Sequence, residues 1–180
     1  MGSPKQLLPI EGEAALVFCL KRILAAALDE VVVVLGHHSH SILPLLEGLP
    51  IVTALNPEPE SQMADSVRIG LGALSPGTTG VMIALADHPL VLPATYQLLR
   101  QQHALRGDRI LIPTYRQRGG HPTLFPAALL RNGEKPRPLH QLIAAHHHKV
   151  ERLPLADPGI VRDMDYPGDY RRLLALAAAE

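Results

Sequence analysis

Apolar positions along this chain fall in blocks, and each block has its own period. In "EAALVFCLKRILAAAL" (13–28), Val17, Leu20, Leu24 and Ala27 stand at helical spacing. "DEVVVVLG" (29–36) then breaks that period with an unalternating run of valines closed by glycine. A strand with no polar alternation is covered on both faces, as in a parallel sheet flanked by helices. "SHSILPLLEG" (39–48) suits a short helix limited by Pro44, and "PIVTALNP" (50–57) a second strand ending in a turn. "ADSVRIGLGAL" (64–74) puts Val67, Leu71 and Leu74 on one side of a helix. "GVMIALADHPL" (80–90) predicts a third buried strand ending on an acid. "LPATYQLLRQQHAL" (92–105) predicts a helix with Pro93 in its first turn, where proline is tolerated.

This alternation predicts an α/β protein with a doubly wound, mostly parallel sheet. Beyond it the rhythm changes. "DRILIPTYRQRGGHPTLFP" (108–126) predicts two short strands around "RQRGG", a hairpin with a glycine turn. "NGEKPRP" (132–138) reads as a polar loop, and "PLHQLIAAHHHKV" (138–150) as a helix at its start. "KVERLPL" (149–155) and "GIVRDMD" (159–165) read as short strands, and "YPGDYRRLLALAAAE" (166–180) as a closing helix. There is no internal repeat and no linker composition, so one domain over 1–180 is expected.

Composition narrows the picture. Apolar residues make up 47% and aromatics 3%, with no Trp, so the core must be aliphatic. Lys plus Arg and Asp plus Glu are equal at 17 each. That balance gives no basic face for nucleic acid, while local charge still suits small anions. Cys19, the one cysteine, cannot form an intramolecular disulfide and reads as a small buried hydrophobe. No apolar run approaches the ~18 residues of a membrane span. A soluble, cytoplasmic protein without membrane or nucleic-acid partners is the expectation.

Several residues could carry chemistry. Gly2-Ser3-Pro4-Lys5 offers close backbone approach and a mobile ammonium suited to phosphate, or is simply an exposed end. Asp87 closes a buried strand, where open α/β sheets present ligands. A carboxylate there suits Mg²⁺, and equally an Asx turn or cap before Pro89. In "VRDMDYPGDY", Asp163 and Asp165 flank Met164, and one of the two acids is expected to face the site. Asp169 reads as a helix-start acid. "RGGHP" presents either ligand contacts or only a turn. The histidine groups at 37–40 and 146–148 lack zinc-site spacing and read as solvated ends.

In order, "MGSPKQLLPI", "DEVVVVLG", "NPEPESQMADSVRIGLGAL", "ALADHPLV", "RGGHPTLF" and "DMDYPGDY" resemble the MobA-like nucleotidyltransferases, nearest to the molybdenum cofactor cytidylyltransferases. The resemblance spans essentially the whole chain. It implies a Rossmann-like sheet with a small β-hairpin extension. It also implies Mg²⁺-dependent transfer of a nucleoside monophosphate, with CTP the favoured NTP, onto a phosphate-bearing acceptor such as molybdopterin, releasing pyrophosphate. Carried onto this sequence, Gly2 and Lys5 would contact the triphosphate, with Gln62 and Ser66 near the base. Asp87 and Asp165 would bind the metal, Lys5 and Asp87 would be catalytic, and Gly120 and His121 would face the acceptor.

Two departures stand out. In the family a strand and an L-A-A-G-x-S-x-R loop precede M-G-x-P-K, and here Met1 falls on that methionine. The first central strand is therefore expected to be absent, through an upstream start or a shortened protein. Exposed strand edges would then invite a partner or a second copy. "RNGEKPRPLHQL" also replaces the G-D-x-G-A-R-like stretch of the cytidylyltransferases, which leaves a sugar phosphate or another small phosphate open as acceptor. A non-catalytic relative that binds a cofactor or partner is the reading from a different class.

Overall fold

The computed structural model describes residues 4–132 and 137–178. After a 3₁₀ turn at Lys5–Leu7, β1 (Pro9–Ile10) and β2 (Glu13–Ala14) form a minimal antiparallel hairpin. Its turn, Glu11–Gly12, has positive φ at both residues, the geometry that matches strand twist. There follow α1 (Ala15–Ala25), β3 (Val32–Leu35), α2 (Ser39–Ile42), β4 (Val52–Leu55), α3 (Met63–Ala73), β5 (Gly80–Ile83) and α4 (Pro93–Leu105). The second half holds β6 (Ile110–Tyr115), β7 (Arg118–Gly119), β8 (Thr123–Pro126), α5 (Ala127–Arg131), α6 (Leu139–Ala145), β9 (Val150–Pro154) and α7 (Pro167–Ala177). Among the described residues no helix is long and apolar enough to cross a membrane.

The mixed α/β architecture is the expected one. β3 pairs with β4 in parallel, and β6 with β9 in parallel. β5 and β6 both lie antiparallel to β8, so they run the same way as each other. The Ser75 N–H, on the approach to β5, donates to Glu30 on the approach to β3 at 2.9 Å. The segment leading into β5 is thereby tied to the one leading into β3. The sheet is nonetheless divided: β3–β4 forms one piece, and β5-β8-β6-β7 with β9 on β6 forms the other.

The core is aliphatic, as the composition requires. Leu16, Cys19, Leu20 and Ile23 of α1 pack with Leu35, Ile42, Leu46, Val91, Tyr96 and Ile160. Cys19 is 3% exposed, a small hydrophobe as expected, and burial pushes its thiol up to about 12. The predicted stripe on α1 is one step out of phase: Leu20 is buried, Val17 and Leu24 are only half-buried, and Ala27 is exposed at positive φ. A second cluster joins Ile10, Ala15 and Leu90 to Met164, Leu173 and Ala177, and so anchors α7 beside the amino-terminal hairpin.

Two local expectations are corrected. The hairpin turn is Arg116–Gln117, both at positive φ, with Tyr115 opposite Arg118; the glycines follow it. "GIVRDMD" forms no strand: Pro158–Val161 is a 3₁₀ turn, and extended coil leads from it to α7.

Candidate functional site

β5 has Val81 buried and its other residues half-buried, and its chain runs on through Ala84–Ala86 to Asp87 at the carboxyl end of the strand. Lys5 reaches this point from the 3₁₀ turn, where Leu7 N–H donates to the Pro4 carbonyl. Its ammonium donates to Asp87 Oδ2 and to Asp165 Oδ1, each at 2.6 Å. Residues 82 and 160 positions apart from Lys5 are thus tied to one nitrogen. Asp165 is placed by its neighbours. Met164 is fully buried, and Asp169 accepts the Tyr166 N–H at 3.2 Å at the start of α7. Asp163 lies on the other side of Met164, exposed, so the choice between the two acids falls to Asp165 without any strand.

Asp87 Oδ1 bonds His88 Nδ1 at 2.9 Å, leaving Oδ2 to Lys5. The hydrogen bond from His88, supported by that from Lys5, holds the Asp87 carboxyl well below the usual carboxylate range although burial opposes it. Burial pulls the Lys5 ammonium down, but the two carboxylates together outweigh it and raise its pKa. The result is a charged triad, 31% exposed at Lys5, 19% at Asp87 and 53% at Asp165.

His121 lies next in line. Its ring meets the His88 ring edge-on with centroids 5.4 Å apart, and Nδ1 sits 3.4 Å from the Ile83 carbonyl. Burial, with His88 nearby, lowers its pKa. Gly120 makes this placement possible, because a Cβ there would fall 2.2 Å from the Ile160 oxygen. Gly120 N–H donates to Pro113 O and His121 N–H to Ile160 O, each at 2.9 Å.

Ser66, on the first turns of α3, accepts from Asn56 Nδ2 at 3.0 Å, and the same amide reaches Ser61 at 2.8 Å. Ser66 opens onto a cleft that also takes in Gln6 and Ala86. Gln62 stands at the N-cap of α3, its N–H donating to Asp65 at 3.0 Å. Gly2 lies outside the described residues. His88 and Asn56 are the two site residues the sequence reading missed. His88 was visible beside Asp87 in "ADHP", whereas nothing local marks Asn56 as the anchor of two serines.

The donor set suits a hard divalent cation. Two carboxylate oxygens already converge on one positive atom, and Mg²⁺ takes one or two carboxylates and fills its remaining positions with phosphate and water. Among the described residues no group of three or more His, Cys, Asp or Glu is arranged to hold a metal alone, the histidine runs included.

The sequence profile of the MobA-like NTP transferase domain matches residues 1–150. The chain belongs to this family of nucleotidyltransferases. Its resemblance to that family is thereby confirmed; the cytidylyltransferase branch is a finer matter. Rv0371c from Mycobacterium tuberculosis H37Rv is 27% identical with a TM-score of 0.84, over 97% of this chain and 90% of that one. A structure of Rv0371c in complex with manganese superposes at 0.82, with 26% identity over 97% and 93% of the two chains. A nucleotidyl transferase from Methanothermobacter shares the fold at 0.80 with 22% identity, over 97% and 85%. The bifunctional protein GlmU of Thermus thermophilus is 29% identical over 133 residues. That alignment takes in 73% of this chain but spans only 28% of the curated relative.

Proposed function

We propose that this chain transfers a nucleoside monophosphate, CMP from CTP, to a small phosphate-bearing acceptor of the molybdopterin type. The observation that carries the reading is the single ammonium of Lys5 held by both Asp87 and Asp165. Asp87 and Asp165 would hold Mg²⁺, which supplies charge neutralisation on the triphosphate and on the departing pyrophosphate. The manganese complex of Rv0371c supports a divalent ion in a protein of this fold.

The residues then divide the work. Nucleotidyl transfer asks for positioning and charge more than for a protein nucleophile. Lys5 sits on a short turn and, once released from the two carboxylates, turns its ammonium to the triphosphate. An acceptor phosphate oxygen attacks the α-phosphorus, the α–β bridging bond breaks, and pyrophosphate leaves with the negative charge that Lys5 meets. Gly2 would add backbone contact to the triphosphate. Ser66, oriented by Asn56, lies on the base side with the segment from Gln62. Gly120 and His121 would form the acceptor side, where the half-buried imidazole, its pKa lowered by burial, can donate or accept one hydrogen bond without adding charge.

Pyrophosphate release with MgCTP, MgGTP or MgATP, each with molybdopterin or a sugar phosphate, tests the reading. CTP with the pterin is expected to turn over fastest. Asp87→Ala and Lys5→Ala are expected to lower kcat on the order of 10²-fold or more. Equal rates in the variants would remove the triad from the chemistry, and preference for a sugar phosphate would replace the acceptor.

A further inference from the structure

The start of α4 is tied down from outside the helix. Leu92, its N-cap residue, makes no side-chain cap. Asp157, 65 positions further along the chain and 3% exposed, reaches it instead. Its Oδ2 accepts from Leu92 N–H at 2.9 Å and from the buried Thr95 hydroxyl at 2.6 Å, while Oδ1 accepts from Gly159 N–H at 2.8 Å. One carboxyl therefore joins α4 to the 3₁₀ turn Pro158–Val161.

The strap that begins at Asp157 and ends at Asp165 meets the segments that carry Asp87, His121 and Lys5. Gly159 lies against the loop that follows Asp87: a Cβ there would fall 2.3 Å from the Leu90 carbonyl oxygen, so backbone packs directly on backbone. Ile160, fully buried, offers its carbonyl to His121 N–H at 2.9 Å. Met164, buried with Leu90 in the cluster beside α7, then sets Asp165 next to Lys5. Asp87 and Asp165 come from separate parts of the chain, and a shared ion tolerates only roughly 0.5 Å of error in its ligands. Their spacing depends on how the strap is held. A cap for α4 needs no such reach, because a serine or aspartate at position 92 would supply it locally. What the distant carboxyl adds is the hydrogen bond to Gly159, which bears on the strap.

We propose that Asp157 is a positioning residue of the site: it latches the strap 157–165 to the start of α4, and through the strap it fixes the distance from Asp165 to Asp87 and the seat of His121. The proposal rests on the reading of Asp87 and Asp165 as the residues that hold the metal.

Asp157→Asn separates the latch from the helix start. Its one amide oxygen can keep both donors of α4, and its NH₂ then faces the Gly159 N–H, so the strap is unlatched while α4 stays tied. Thr95→Val does the reverse, removing one hydrogen bond to α4 and leaving Gly159 bound. Mn²⁺ binding to the full chain is read by electron paramagnetic resonance. Amide exchange at His121 is read in the metal-free chain, with thermal melting alongside, for the wild type and both variants. Asp157→Asn is expected to weaken Mn²⁺ binding by about tenfold or more and to speed His121 exchange by a similar factor. Thr95→Val is expected to lower the melting midpoint and to change neither. Should Asp157→Asn fail to fold, it is made together with Leu92→Ser, which gives α4 its own cap. If either quantity is unchanged in Asp157→Asn, or if Thr95→Val loses as much, the proposal is overturned. A wild type that binds no Mn²⁺ would overturn the metal reading and this proposal with it, and the wild-type titration alone tells the two failures apart.

Discussion

Lys5, Asp87 and Asp165 owe their meeting to anchors on either side rather than to local sequence. Asp87 follows the half-buried strand β5, Lys5 sits on a turn, and Asp165 lies beside the buried Met164. The low pKa of Asp87 makes its contribution depend on pH. A carboxyl held below its unfolded value of about 3.9 stabilises the fold fully above that pH, and the benefit is lost as pH falls toward the folded value. Denaturant unfolding of the wild type and Asp87→Asn should therefore differ most at neutral pH, with the difference shrinking steadily below about pH 4. A difference independent of pH would detach Asp87 from the ion pair. Asp87 and Lys5 were readable because an acid after a buried strand and a lysine in a glycine–proline turn each carry a chemical reason. Asn56 was not, since its partners Ser61 and Ser66 depend on how the loop before α3 folds.

At the scale of elements, the valine run of β3 and the apolar run of β5 were legible because covered strands need no alternation. The phase of α1 was not. "ALVFCLKRILA" is apolar on most of its circumference, so periodicity alone could not choose between Val17 with Leu24 and Leu16 with Ile23. "GIVRDMD" has strand-forming residues, but Asp157 captures its start, accepting Gly159 N–H at 2.8 Å, and a 3₁₀ turn results. The turn at Arg116–Gln117 escaped because neither residue favours positive φ, and the adjacent glycines drew the prediction two places on. The mismatch leads to a prediction. Replacing Arg116 and Gln117 by Asn and Gly should stabilise the protein by about 0.5–1 kcal/mol, seen as a melting midpoint about 1–4 °C higher. A lower midpoint would mean that Arg116, stacked over the Tyr115 ring at 5.3 Å, contributes more than its backbone costs.

For the whole molecule, membership of the MobA-like family and the mixed α/β fold agree with the order of motifs along the sequence. What sequence order does not fix is the base, or the acceptor, because "RNGEKPRPLHQL" (131–142) departs from the cytidylyltransferase stretch. The central claim is that Lys5, Asp87 and Asp165 form a metal–nucleotide site. The most direct measurement is a thermal-shift titration of the full chain with MgCTP, MgGTP and MgATP, with and without the metal, repeated on Asp87→Ala. A nucleotide at 100 times its Kd should add about 2.7 kcal/mol of stability. The account predicts the largest shift with MgCTP, little without Mg²⁺, and none in Asp87→Ala. A cooperative melt that no nucleotide moves, or a shift that survives in Asp87→Ala, would contradict it.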